Sequence, residues 1–398
     1  MILKETLEKI SSEQKKDLES RDFGIKRELL DKIDLEINHV VIVSGVRRCG
    51  KSTLIRQLTK NKKAFYYMSF EDQRLLEFNI SDFESLKEVF QETFLSNIWF
   101  LDEIQNIDGW ERFVRKMHDM GTKFIVTGSN ASLLSKELGT KLTGRHLTYE
   151  LFPFSYSEML ALTSQKPSAS SLEEYMKNGG FPEFLKYRKI ELLQNIFLDI
   201  LNRDISERYR LREIKTLKQF ATYLLTNVGK EFSYTNISKF LNMGSVNTAI
   251  SFSSYLEGAY LIFTIPKFDY SYRKQLINPK KVYSVDTGLS MANSTSFSQD
   301  KGRVLENVVF LGLRRKHKDI YYFRDKGECD FLIKEKENIV EAVQVCYHLT
   351  EDNKEREISG LEEVMRKFNL KTGTIVTFDQ EDSFGKIKVI PAWKWLIG

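Results

Sequence analysis

The sequence predicts an α/β protein: a five-stranded parallel sheet in its first part, then a helical region, then a second α/β region. Three observations carry this. Apolar runs of four to six residues recur between residues 39 and 151, separated by helix-like segments long enough to bring the chain back for parallel pairing. After Phe152-Pro153-Phe154 the runs stop and helical spacing takes over to about residue 260. From about Gly302 strand-like and helix-like segments alternate again to the end.

A chain of 398 residues is long enough for two to three domains. The reading is three regions, 1–160, 161–290 and 291–398. With 41% hydrophobic and 29% charged residues the composition is that of a folded globular protein and excludes a disordered or fibrous one. Cys49, Cys329 and Cys346 are widely separated, which excludes a disulfide framework and a thiolate zinc site and fits a reducing compartment. No stretch approaches the length of apolar residues that a membrane span needs, so the expectation is a cytoplasmic protein with no membrane partner.

Residues 1–37 are charge-rich with helical spacing and carry no evident chemistry. His39-Val40-Val41-Ile42-Val43-Ser44 reads as a buried strand. Four more runs follow: Ala64 to Met68, Ile98 to Leu101, Phe124 to Thr127 and Leu147 to Leu151. Directly after the first strand stands Gly45-Val46-Arg47-Arg48-Cys49-Gly50-Lys51-Ser52, which matches G-x-x-x-x-G-K-[ST], and Thr53 opens the helix behind it. Glycines let such a loop curl so that its N–H groups and the helix N-terminus face phosphates. Lys51 is the residue expected to reach the β- and γ-phosphates of ATP, and the Ser52 hydroxyl to ligate Mg²⁺.

Ile98-Trp99-Phe100-Leu101 ends in Asp102-Glu103, two carboxylates at the carboxyl end of a strand, where α/β sheets carry their sites. Asp102 is expected to hold Mg²⁺ and Glu103 to orient and deprotonate the attacking water; a helix N-cap is the plainer alternative. Thr127-Gly128-Ser129-Asn130 ends the next strand, and Asn130, or failing that Ser129, is placed to contact the γ-phosphate or the water, against the alternative of a polar turn. Arg145 precedes the fifth strand and is read either as stabilising charge on the γ-phosphate, in its own subunit or across a homo-oligomer interface, or as a surface ion pair.

Taken with Gln105, Gly109-Trp110, Leu142-Thr143-Gly144-Arg145 and Leu151 to Ser155, these residues resemble the AAA-like ATPase domain of the prokaryotic AAA_14/DUF4143 family. That family lies within the additional-strand, catalytic-glutamate class of P-loop NTPases. The resemblance implies ATP hydrolysis, strand order 5-1-4-3-2, a helical middle and an α/β C-terminal domain.

The modest net charge of +5 is unevenly placed: residues 186–290 hold 16 Lys and Arg against 9 Asp and Glu, and the remainder is net acidic. Within this stretch the order helix, Ser233 to Leu241, Gly244-Ser245 turn, and a helix from about Val246 to Gly258 is helix-turn-helix order. Asn247, Thr248 and Ser251 would lie on its exposed edge. The runs Leu261 to Ile265 and Lys281 to Val285 are expected to pair as a wing, with Arg273, Lys274, Lys280 and Lys281 in or near its connection. The reading is a winged helix in contact with DNA, or alternatively a packing module beside the ATPase.

In the last region, Glu306 on a helix and Asp330 on a strand fit the first two ligand positions of a PD-(D/E)xK nuclease fold of the DUF4143 type. The third position departs from the pattern. Ala342-Val343-Gln344 replaces Glu-x-Lys, so one ligand and the lysine are missing from that strand, although Gln344 could polarise a water. This favours a structural or DNA-docking role over cleavage. The expectation is a Mg²⁺-dependent ATPase coupled to a DNA-binding winged helix. The alternatives are a nucleotide-gated switch for a protein partner and an ATP-licensed metal-dependent nuclease.

Overall fold

Strand β1, Val40–Ser44, is buried at every residue, which is why its sequence is an uninterrupted apolar run. In this computed structural model, which describes residues 2–60, 62–93, 95–131, 144–295 and 300–398, β1 lies inside a five-stranded sheet. The other strands are β2 (Tyr66–Ser69), β3 (Ile98–Asp102), β4 (Lys123–Gly128) and β5 (His146–Glu150). All pairings are parallel and the order is β2-β3-β4-β1-β5, the expected 5-1-4-3-2 read from the other edge. Parallel strands bring their carboxyl ends to one edge, so the loops after β1, β3 and β4 converge.

This sheet belongs to the first of two units, Met1–Phe152 with Gly258–Tyr260. One face is filled by aromatic packing around Trp99, whose ring meets Tyr66, Phe90, Phe113 and Phe124 at 4.8 to 5.7 Å. Phe90 and Phe113 come from the helices Asp82–Thr93 and Trp110–Asp119. The charge-rich preface is helix Lys4–Ser20, which adds Leu7 and Ile10 to this core. Its Gln14 amide bonds the Ser69 carbonyl and N–H, fixing the end of β2. Leu142 and Thr143 of the expected motif lie outside the described residues.

The second unit is Pro153–Glu257 with Leu261–Gly398. It begins with helices Tyr156–Thr163, Ala169–Asn178, Pro182–Tyr187 and Ile190–Asp199, the last continuing into a π-helix, Ile200–Glu207. Next come helix Ile214–Thr226, β6 (Glu231–Phe232), helices Tyr234–Phe240 and Val246–Gly258, β7 (Ile262–Pro266) and β8 (Lys280–Ser284). β8 pairs antiparallel with both β6 and β7, giving a small sheet of order β6-β8-β7. The connection from β7 to β8 contains a short helix, Tyr272–Ile277.

After helix Lys301–Arg314, strands β9 (Ile320–Arg324), β10 (Glu328–Glu335) and β11 (Asn338–Cys346) form an antiparallel meander. Helix Glu351–Phe368 then crosses over to β12 (Gly373–Thr377), parallel to β11, and β14 (Ile387–Pro391) and β13 (Asp382–Phe384) complete the sheet. Buried Asp286 ties this unit together. One carboxylate oxygen accepts from Leu289 N–H at 2.8 Å to cap helix Thr287–Asn293, and the other accepts from Gly180 N–H at 2.5 Å.

Gly180 is confined on both sides, because a Cβ there would lie 2.1 Å from the Phe154 carbonyl oxygen. Gly180→Ala is therefore expected to destabilise the protein by about 1–3 kcal/mol through overpacking against backbone. Urea unfolding checks this, and an unchanged midpoint would contradict the close approach.

Candidate active site

Loop 45–50 leaves the end of β1 and runs into helix Lys51–Thr59. Gly50 has φ +103°, a conformation that favours glycine, and it turns the chain into the helix. Gly45 is needed for a different reason: a Cβ there would lie 2.1 Å from the Leu151 carbonyl oxygen. Val46 and Cys49 point into the protein, and burial pushes the Cys49 thiol up, so both hold the loop rather than present side chains to a ligand. Arg48 is exposed, and Arg47 pairs with Glu71 at 2.8 Å.

The predicted carboxylates meet this loop. Ser52 Oγ donates to Asp102 Oδ2 at 2.6 Å, and the Lys51 ammonium lies 3.1 Å from Glu103 Oε1 and 3.1 Å from the Gly45 carbonyl oxygen. Burial opposes the charge on Lys51, but Glu103 together with Cys49 and Asp102 more than offsets it and the pKa is raised. Burial likewise works against ionised Glu103, yet Lys51 and the Gln105 hydrogen bond bring its pKa below the usual range. Asp102 is pushed up by burial and by the Glu103 charge, against the hydrogen bonds from Ser52 and Thr127. Asn130 and Ser129 are buried at the same edge, after β4.

Arg145 is not part of this pocket in its own chain. Its carbonyl accepts from Val40 N–H at the start of β1, so it lies at the amino edge of a parallel sheet whose carboxyl edge carries the phosphate loop. Its exposed guanidinium pairs with Asp119. The surface ion pair, one of the two readings of this residue, describes it.

Four residues at this edge were given no role from sequence. Thr127 Oγ1 donates to Asp102 and accepts from Glu103 N–H at 3.0 Å, bracing the Asp102 carboxylate and the Glu103 backbone. Tyr67 OH lies 3.4 Å from Asp102 Oδ2. Gln105 Nε2 donates to Glu103 Oε2 at 2.5 Å. Arg27, fully buried, donates to the carbonyls of Cys49 and Phe152, each at 2.7 Å, and fixes the loop from behind. Thr127 and Gln105 stand inside motifs that were legible; Arg27 lies far in sequence from its partners and leaves no local signal.

In the second unit, Asn247, Arg273 and Lys274 are exposed and Thr248, Ser251 and Lys280 half-buried. Lys281 is not a surface contact: it is 5% exposed, and its ammonium lies 2.7 Å from Asp330 Oδ1 and 3.1 Å from Glu306 Oε1. On a strand, adjacent residues point to opposite faces, and on β8 Lys281 takes the inner one. Glu306, Asp330 and Gln344 are thus brought together as expected from their pattern, and the cation missing from β11 is supplied by β8. Tyr283 OH donates to Glu306 Oε1 at 2.7 Å, Val345 N–H to Asp330 Oδ2 at 3.0 Å, and Asp330 N–H to Gln344 Oε1 at 3.0 Å. Gln344 Nε2 turns to Glu357 at 2.7 Å. Burial and the Asp330 charge push the Glu306 carboxyl up to about 7, while Asp330 and Glu306 together overcome burial to raise the pKa of Lys281.

Residues 37–160 match the family model of an AAA domain, and residues 169–300 match a domain of unknown function, DUF8612, rather than the DUF4143 expected from the resemblance. Across 95% of its length the chain is 34% identical to protein MJ1544 of Methanocaldococcus jannaschii, covering 93% of that protein. It is 30% identical to an uncharacterized protein of Haemophilus influenzae, over 91% of this chain and 95% of that one. Among solved structures, the Walker-type ATPase PABY2304 of Pyrococcus abyssi is similar at 17% identity and a TM-score of 0.44, covering 67% of this chain and 95% of that one.

Arg27→Met is expected to remove the buried hydrogen bonds from its guanidinium to the Cys49 and Phe152 carbonyls and to cost about 3 kcal/mol. Denaturant unfolding checks this; a loss under about 0.5 kcal/mol would mean that the loop holds itself.

Proposed function

Because this chain belongs to the same family as MJ1544 of Methanocaldococcus jannaschii and carries an AAA-type P-loop domain, we propose that it binds ATP and hydrolyses it with Mg²⁺. The observation that carries the reading is the meeting of Lys51, Ser52, Asp102 and Glu103 at one sheet edge. Phosphates entering the loop compete with Glu103 for the Lys51 ammonium, so binding frees the carboxylate to act on water. Ser52 and Asp102 are adjacent hard oxygen donors, a set that fits Mg²⁺. When bound there, the ion would neutralise charge on the β- and γ-phosphates. Asn130 is buried at the same edge and is proposed to contact the γ-phosphate or the water. Lys51→Ala is expected to abolish ATP binding, and Glu103→Gln to retain binding while lowering turnover by at least about 10²-fold. Turnover by Glu103→Gln at the wild-type rate would remove Glu103 from its role.

The second unit is proposed to be what nucleotide state acts upon, with a winged helix over 161–290 and a nuclease-like domain over 291–398. The sequence of elements from Ile214 to Ser284, with the β6-β8-β7 sheet, supports the winged helix. DNA contact is proposed through Asn247, Thr248, Ser251, Arg273, Lys274 and Lys280. A protein partner is the second reading, favoured by Tyr272 and Ile277, 72% and 69% exposed on the same short helix as Arg273. Charge reversal of Arg273 and Lys274 is expected to weaken duplex binding and flatten its salt dependence, measured by anisotropy across a salt series. Salt-independent binding, or none, would favour the protein partner.

The helix, antiparallel meander, crossover and parallel strand from Lys301 to Thr377 support the nuclease-like reading. The residues do not fit a divalent ion as they stand, since the Lys281 ammonium already occupies the space between Glu306 and Asp330. The domain is proposed to be catalytically silent. Lys281→Met is expected to cost about 3–5 kcal/mol by leaving buried carboxylates unpaired, and Lys281→Met/Glu306→Gln/Asp330→Asn to cost less. Thermal unfolding tests the pair; DNA cleavage with Mg²⁺ or Mn²⁺ that vanishes in Asp330→Ala would overturn the silent assignment.

A further inference from the structure

Among the described residues Glu103 has two side-chain hydrogen-bond partners, and only one of them survives the arrival of a nucleotide. Lys51 is the residue that phosphates claim. Gln105 is the other, and nothing in the phosphate-loop chemistry competes for it.

The orientation of the Gln105 amide follows from chemistry. A carboxylate only accepts, so the group facing Glu103 Oε2 at 2.5 Å is Nε2, which also lies 3.3 Å from Ser129 Oγ. The amide oxygen is therefore turned away from Glu103. It is buried and has no hydrogen-bond partner among the described residues. A buried carbonyl left unpaired costs about 1–3 kcal/mol, so its persistence beside a charged site needs a reason. The backbone adds rigidity: Glu103 is held in the left-handed region, at φ +51°, and Gln105 follows in the tight turn Ile104–Asn106.

Resting on the ATPase reading, we infer that Gln105 is the second residue of the hydrolytic pair: its Nε2 holds the Glu103 carboxylate while its free Oε1 accepts a hydrogen bond from the attacking water. The water oxygen then bonds to the γ-phosphorus as one of its protons passes to Glu103. The bond from the γ-phosphorus to the β–γ bridging oxygen breaks, and its electron pair leaves with ADP. Glu103 then returns its proton to solvent. Water is fixed by two groups, one accepting its transferred proton and one its other hydrogen, and the entropic cost of orienting it is met before reaction.

The test uses the full chain with saturating ATP and Mg²⁺, Gln105→Met preserving side-chain length and bulk and Gln105→Glu preserving shape while removing the donor. Both are expected to lower kcat about 10²-fold with the ATP Kd within threefold of wild type. In single-turnover measurements Gln105→Met is expected to add little to Glu103→Gln, since both act on the same water. Wild-type kcat in Gln105→Met would overturn the inference, as would equal losses in kcat and ATP affinity or full additivity with Glu103→Gln, each of which marks a packing residue. Failure of the wild-type protein itself to hydrolyse ATP would instead defeat the ATPase reading.

Discussion

The phosphate-loop edge depends on a buried charge balance. Lys51 is almost wholly enclosed, and an isolated ammonium there would be too costly to keep, so Glu103 at 3.1 Å neutralises it. Glu103 in turn needs donors for its second oxygen, and Asp102 needs them for both of its own. Thr127 serves both residues at once, through its hydroxyl to the Asp102 carboxylate and as acceptor for the Glu103 backbone N–H. Each group is fixed because its neighbour would otherwise be unsatisfied, and a site so coupled is preorganised for a polyanion that can take over the lysine.

How much of this could be read from the chain follows from how local each determinant is. Gly45 to Ser52 and Asp102-Glu103 follow strands, and a run that must be buried on both faces announces itself as an apolar run. Arg145 kept two readings open in the sequence, because nearness to β5 says nothing of which end of the sheet it occupies. In a parallel sheet the residue before a strand lies opposite the phosphate edge, a constraint that was available. Lys281 does not share the surface of the basic residues around it, because strand alternation turns one of two neighbours inward. Arg27 was beyond reach, since its partners, Cys49 and Phe152, lie 22 and 125 residues away.

The second buried lysine shows that similar ingredients need not make a similar site. Lys281, like Lys51, is enclosed and faces two acidic residues, but its surroundings differ in what remains open. Glu306 Oε1 receives both Lys281 and Tyr283, and Asp330 uses Oδ1 for the ammonium and Oδ2 for a backbone N–H. Gln344, which might have served a water, spends its oxygen on Asp330 N–H and its nitrogen on Glu357. Such a cluster gains little from a metal, because binding one would first have to displace an ammonium that already neutralises the carboxylates.

At the phosphate edge the balance is left incomplete in a useful way. Ser52 is exposed at the mouth, and the Lys51 ammonium leans on loop carbonyls that phosphate oxygens can replace as partners. The Gln105 amide oxygen has no hydrogen-bond donor among the described residues. Groups whose hydrogen-bonding capacity is unspent, next to a charge pair that can be exchanged, are what distinguish a site awaiting a ligand from a cluster that has closed on itself. By that physical criterion the two lysines, equally buried, divide the molecule's chemistry between them: Lys51 is held in reserve for an incoming polyanion, and Lys281 is already committed to the fold.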